Sequence, residues 1–243
     1  MSGVKRRTRL VIFDCDGVLV DSEPLSIGVL VEGLASIGYR IDEATASERF
    51  LGHSLAAVQG MLRDELGFDL PADRLEAMRL SLFERFRREL KPTRGIAQAL
   101  DRLSVPYCVA SSSLLERIRI SLEVTGLLAR FAPNIFSAEM VPRGKPAPDL
   151  FLYAAKQMGV EPAACLVIED SAPGIAAAHN AGMRVFAFLG GSHVRQAGYR
   201  DRLARLGPEL EFDDMRRLPD LVAADGSATP VRSLDRSGQG SLP

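Results

Sequence analysis

The sequence predicts an α/β fold in which a parallel sheet, covered by helices on both faces, carries a helical insert after its first strand. Three observations lead there. Short apolar runs recur at Leu10 to Phe13, Tyr107 to Ala110, Leu166 to Ile168 and Val185 to Phe188, the texture of strands buried on both faces. Helix-like segments alternate with these runs, and such alternation implies parallel strands joined by right-handed crossovers. Between the first run and the second, residues 24–91 show helical spacing alone.

The first strand runs straight into acids: RLVIFDCDGVLVDSE places Asp14 and Asp16 at its end and Gly17 at a turn. Carboxylates crowded beside a buried strand are costly unless a cation joins them. From Pro24 to Lys91 the apolar residues Leu25, Val29, Leu34 and Ile37, then Leu55, Val58, Met61, Leu62 and Leu66, then Leu75, Met78, Leu82, Phe83 and Phe86 read as three or four helices. Asp21 to Pro24 and Lys91-Pro92-Thr93 are the expected hinges, so the boundaries are 1–22 with 93–225 for the core and 23–92 for the insert.

Beyond the insert, Ile96 to Leu103 reads as a helix, and the strand ending at Ser111-Ser112-Ser113 is followed by a helix marked by Leu115, Ile118 and Leu122. Ile135 to Ser137 is a short strand. Lys145-Pro146-Ala147-Pro148-Asp149 opens a helix stopped at Gly159. Leu166 to Ile168 ends in Glu169-Asp170, and Pro173 begins an Ala-rich helix that stops near Gly182. The segment 226–243, rich in Gly, Ser and Pro, is expected to be a disordered tail.

Composition narrows the function. With 30 Lys and Arg against 31 Asp and Glu, the formal net charge of -1 gives no bulk attraction for nucleic acid or an anionic membrane, so anion binding must be local. No apolar run approaches the roughly 20 residues of a membrane span, and the basic start lacks a signal-peptide core, so the expected location is cytoplasmic. Cys108 and Cys165 lie in apolar runs without metal-ligand spacing and read as buried small hydrophobes; Cys15, between two acids, is less clear.

In parallel sheets ligands gather at the carboxyl ends of strands. Four segments send polar groups to that edge: Asp14 with Asp16, Ser111 with Ser112, Lys145, and Glu169 with Asp170. The acids suit a hard dication such as Mg²⁺, which takes one or two carboxylates and leaves room for a substrate phosphate. Lys145 and the helix N-terminus after Ser111 suit an anion. One carboxylate can attack phosphorus as a nucleophile while a second manages the proton.

FDCDGVLVDSE, VASSS, the lysine of RGKPAPD and VIEDSAPGIAAAHNAG resemble, in order, the four motifs of the haloacid dehalogenase (HAD) superfamily. The helical insert lies where the beta-phosphoglucomutase-like branch carries its type 1 cap. The resemblance extends to about Leu221 and implies a Rossmann-like core. It further implies Asp14 as nucleophile and metal ligand, and Asp16 as general acid/base whose backbone carbonyl also binds metal. Ser111, Ser112 and Lys145 would hold phosphate, Asp170 would bind Mg²⁺, and Glu169 would assist it. Asp16 at the third position of the first motif favours phosphate chemistry over dehalogenation.

The branch holds both phosphatases and a sugar-phosphate mutase. The mutase carries Gly-Val-Ser-Arg in its cap loop and Lys-Asn after the second-motif serines, whereas here Gly52-His53-Ser54-Leu55 and Leu114-Leu115 stand there. The expected activity is therefore hydrolysis of a small sugar, polyol or sugar-acid phosphate by a monomer, with Arg49 or His53 of the cap touching the leaving group. A mutase and a regulatory ligand-binding pseudoenzyme are the alternatives. A receiver-type signalling domain shares the acidic pocket and lysine but is shorter and has no helical insert. An isolated Asp-x-Asp-Gly also resembles part of a calcium loop, but its glycine comes two places too early and a strand precedes it.

Overall fold

The computed structural model describes residues 7–50, 55–67, 70–195 and 198–224. His53 and the 226–243 tail lie outside the described residues. Six strands form one parallel sheet: β1 (Leu10–Phe13), β2 (Tyr107–Ser111), β3 (Ile135–Ser137), β4 (Cys165–Glu169), β5 (Arg184–Phe188) and β6 (Leu210–Phe212). Their spatial order is β3-β2-β1-β4-β5-β6. The chain first builds outward from β1 to β3, then returns to the other side of β1. That reversal opens a crevice at the C-terminal end of β1, between β2 and β4.

Alternation of side chains along the strands divides the core in two. Val11, Phe13, Val109, Leu166 and Ile168 face one side, where α5 (Ile96–Arg102), α6 (Leu115–Val124) and α7 (Leu128–Phe131) pack, with α11 (Leu218–Ala224) beside them. Leu10, Ile12, Cys108, Ala110 and Val167 face the other, under α8 (Asp149–Gln157), α9 (Ala172–Asn180) and α10 (Tyr199–Ala204). Cys15, Cys108 and Cys165 are buried free thiols. Phe13 is fully buried and meets Tyr107 and Phe131 edge-on at 6.2 and 6.0 Å. Truncating such a phenyl to alanine costs roughly 3–5 kcal/mol.

Among the described residues five helices lie between β1 and β2, and the four before α5 form the insert: α1 (Glu23–Ser36), α2 (Glu43–Phe50), α3 (Leu55–Leu66) and α4 (Ala72–Glu89). Pro24 in the first turn suits a helix start, and Gly38 at φ 88° ends the turn after α1. Apolar stripes from these helices, including Leu30, Leu34, Phe50, Leu62 and Met78, make a separate cluster. Phe86 and Leu90, at the end of α4, join the main core instead. The chain leaves and re-enters the core along paired backbone: Asp21 N–H donates to Lys91 O at 3.1 Å, and Thr93 N–H to Leu19 O at 2.9 Å.

Candidate active site

Asp14 follows the last residue of β1, and its N–H donates to Ile168 O on β4 at 3.0 Å. Its carboxyl therefore starts at the reversal point. Lys145, from the loop before α8, donates to Asp14 Oδ1 at 2.6 Å and to Glu169 Oε1 at 2.7 Å, and lies over the Phe151 ring at 4.8 Å. Burial raises the Asp14 carboxyl well above the usual range, and Lys145 only partly offsets it. Burial acts against the Lys145 charge, but Asp14 and Glu169 outweigh it and hold the ammonium protonated.

Glu169 is spent differently. Its Oε2 accepts from Asp170 N–H, Ser171 N–H and Ser171 Oγ, each at 2.9 Å, and so fixes the turn into α9. Ser171 Oγ also accepts from Gly174 N–H at 3.2 Å as the N-cap of that helix. A Cβ at Gly174 would fall 1.8 Å from Glu169 Oε1, so glycine is what lets this carboxyl lie against the helix.

Asp170 stands beside them, its backbone oxygen accepting from Tyr199 OH at 3.0 Å. Nε2 of His193 lies 2.9 Å from Asp170 Oδ2, a charge contact without an aligned hydrogen bond. Burial raises the Asp170 carboxyl, against the pull of His193. Gly17 has φ 77°, and a Cβ there would sit 1.8 Å from Asp170 Oδ2, so both the turn and the close approach require glycine. Asp14, Glu169 and Asp170 each bring an oxygen within 4.8 Å of the others, a buried all-oxygen donor set that fits a hard cation.

Asp16 is held by three donors. Ser22 Oγ and Arg117 Nη2 reach Oδ1 at 2.5 and 2.8 Å, and Ser113 Oγ reaches Oδ2 at 2.6 Å. Burial pushes this carboxyl up, but the Arg117 charge and the hydrogen bonds together outweigh it and bring it below the usual range. Ser111 Oγ accepts from Ser113 N–H at 3.1 Å, and Ser137 Oγ donates to Ser113 O at 2.8 Å, which fixes the loop between β2 and α6.

One cavity of about 60 Å³ is lined by Asp14, Asp16, Ser111, Ser112, Lys145, Glu169 and Asp170, so the core residues named from sequence converge. By the same measure a water takes roughly 10–15 Å³. The space suits a metal ion and a phosphoryl group, while a sugar would have to extend outside it. Arg49 does not line this cavity; on α2 it pairs with Glu65 at 2.5 Å and lies over Phe50. The structure adds Glu23, Ser113, Arg117, Ser171, His193 and Tyr199 to the lining. Ser113 had a sequence signal in the serine run, and Glu23 and Ser171 lay inside the first and fourth motifs, whereas Arg117, His193 and Tyr199 had none.

Residues 8–182 match the family model described as haloacid dehalogenase-like hydrolase. The chain belongs to the haloacid dehalogenase-like hydrolases. Among its relatives, the 6-phosphogluconate phosphatase of Escherichia coli (strain K12) is 31% identical over 90% of this chain and 97% of its own length. Hexitol phosphatase B of the same organism is 30% identical over 74% of this chain and 82% of its own. A haloacid dehalogenase-like protein of unknown function from Agrobacterium tumefaciens is 39% identical, with a TM-score of 0.79 over 90% of this chain and 100% of that one. A HAD family hydrolase from Deinococcus radiodurans with bound phosphate and sodium is 32% identical, with a TM-score of 0.73 over 93% and 100%. This HAD-like chain is a phosphoric monoester hydrolase. Among the described residues, no helix is long and apolar enough to cross a membrane.

Proposed function

We propose that this HAD-like hydrolase is a Mg²⁺-dependent phosphatase of a small sugar, polyol or sugar-acid phosphate, working through an aspartyl-phosphate on Asp14. The observation that carries the reading is the Asp14 carboxylate: Lys145 holds Oδ1, and among the described residues Oδ2 takes no hydrogen bond. Relatives that are phosphatases of 6-phosphogluconate and of hexitol phosphates support the substrate class.

Asp14, Asp170 and Glu169, with the Asp16 carbonyl, would hold the metal. When bound, Mg²⁺ supplies the positive charge that lets an anionic carboxylate approach an anionic phosphate. Asp14 forms the new O–P bond as the ester O–P bond breaks; Asp16, held ionised by Arg117 and its serine donors, takes up a proton from solvent as one of those donors lets go and passes it to the departing alcohol. Asp16 then takes a proton from the water that attacks phosphorus, releasing inorganic phosphate and regenerating Asp14. Lys145 and the Ser111–Ser112 loop hold the phosphoryl oxygens. The four-helix insert serves as the cap over the leaving group, with Arg49 or His53 as its proposed contact.

A mutase would need cations for a second phosphate. Leu114 is exposed where the mutase pattern has lysine, and the nearby cation, Arg117, is paired with Asp16. Release of inorganic phosphate from a panel of sugar, polyol and sugar-acid phosphates, lost in Asp14→Asn and in EDTA, tests the reading. Isomerised sugar phosphate without phosphate release sinks it.

A further inference from the structure

We propose that Arg117 is a positioning residue for Asp16 that ties the proton-handling carboxyl to the helical insert; this rests on the phosphatase reading above. Arg117 belongs to α6 of the core, yet its contacts lie in three places. Its Nη2 donates to Asp16 Oδ1 at 2.8 Å and to Ser26 Oγ on α1 at 3.0 Å. Its guanidinium lies over the Phe86 ring on α4 at 5.4 Å. One planar cation therefore touches the reactive carboxyl and both the first and the last helix of the insert.

The arrangement has the economy of a linkage. Asp16 holds three donors on two oxygens, so its carboxyl cannot turn toward a leaving oxygen unless one donor lets go. Ser113 is a core residue and Ser22, the N-cap of α1, is tied to α1 through Ser26, whereas Arg117 alone among these donors touches both α1 and α4. Among the described residues it is also the one cation within ion-pair distance of Asp16. Its Nε is buried without a hydrogen-bond partner among the described residues, so no bond from Nε fixes the guanidinium on the α6 side. The orientation of the group is set by Asp16, Ser26 and Phe86, and a shift of α1 or α4 shifts the partner of Asp16 with it. A lysine would keep the charge but lose the planar group that stacks on Phe86 while bonding two oxygens.

The test compares kcat/KM for an alkyl sugar phosphate with that for p-nitrophenyl phosphate, because both report transfer to Asp14 and only the alkoxide needs a proton to leave. Arg117→Met is expected to lose at least about tenfold more on the alkyl substrate, a fraction of what general acid catalysis contributes. Arg117→Lys should fall between it and wild type. Ser26→Ala, which keeps the Asp16 contact but cuts the link to α1, should shift the same ratio by about threefold. In an Asp16→Asn background Arg117→Met should add almost no further selective loss. Equal losses on both substrates, or an unchanged selective loss without Asp16, would make Arg117 a merely structural residue and overturn the proposal. Wild type inactive on both substrates would instead overturn the phosphatase reading, and the role of Arg117 with it.

Discussion

Lys145 Nζ lies 2.6 Å from Asp14 Oδ1 in an ion pair whose lysine side chain is 2% exposed. The same ammonium also pairs with Glu169, so a single cation is shared by two buried acids. Lys145→Met leaves both carboxylates without their partner, and removal of one member of a buried pair costs roughly 3–5 kcal/mol. In EDTA at pH 7.5 the variant is expected to unfold at markedly lower urea than wild type, with the gap narrowing at pH 5 as the Asp14 carboxylate takes up a proton. Equal midpoints at pH 7.5 would mean that Lys145 does not stabilise the two acids.

Asp14 is an acid whose ionised form is costly where it sits, because burial outweighs the help from Lys145. Asp14→Asn removes that cost while Lys145 keeps Glu169. The variant is expected to be inactive yet more stable in EDTA by about 1 kcal/mol, a rise of roughly 2–4 °C in Tm for a chain of this size. Thermal melts beside a phosphate-release assay check both halves; an inactive variant that melts lower than wild type would contradict the account of Asp14.

Much of this was readable from the sequence, for a physical reason. Strands buried on both faces leave apolar runs, so β1, β2, β4 and β5 stood out. Leu210-Glu211-Phe212 did not, because a three-residue edge strand alternates and takes its register from β5. Asp14, Asp16, Ser111, Lys145, Glu169 and Asp170 were legible because each lies at or just after a strand end or just before a proline-rich helix start. Arg117 was not, since in LLERIRISL it looks like Arg119, a charge on an amphipathic helix; only the fold turns it to Asp16. His193 was hidden likewise, as its cavity neighbours come from distant segments, whereas Glu23 lay in the first motif but read only as part of the hinge.

On the proposed reading, in which Asp170 holds Mg²⁺, the His193 contact is expected to bear on metal affinity. The His193 side chain is 2% exposed, beside Tyr199 edge-on at 5.3 Å and 2.9 Å from Asp170 Oδ2. Neighbours that orient a ligating carboxylate change metal affinity by about 10–100-fold when removed. Mg²⁺ should raise the Tm of wild type, with about 2.7 kcal/mol of stabilisation at a hundredfold excess over Kd. His193→Gln is expected to move the midpoint of that Mg²⁺ titration upward by at least about tenfold. An unmoved midpoint would leave His193 without influence on Asp170.

Glu23, the first residue of α1, carries a carboxyl raised to about 7 by burial and then by the negative charge of Asp16. Because this value exceeds the ordinary 4.5, the folded chain binds the proton more tightly than the unfolded chain does. The associated stability is present in full below about 4.5 and is lost as pH rises through about 7. The whole shift corresponds to about 3 kcal/mol, and because the side chain is partly open to solvent we expect about 1–2. Glu23→Gln in EDTA should therefore be more stable than wild type at pH 8 by that amount, with the advantage nearly gone at pH 5. Urea midpoints measured from pH 5 to 8 provide the check. A difference that stays constant with pH would show that the Glu23 carboxyl titrates as it does in water, and that the acids of this cavity do not act on it.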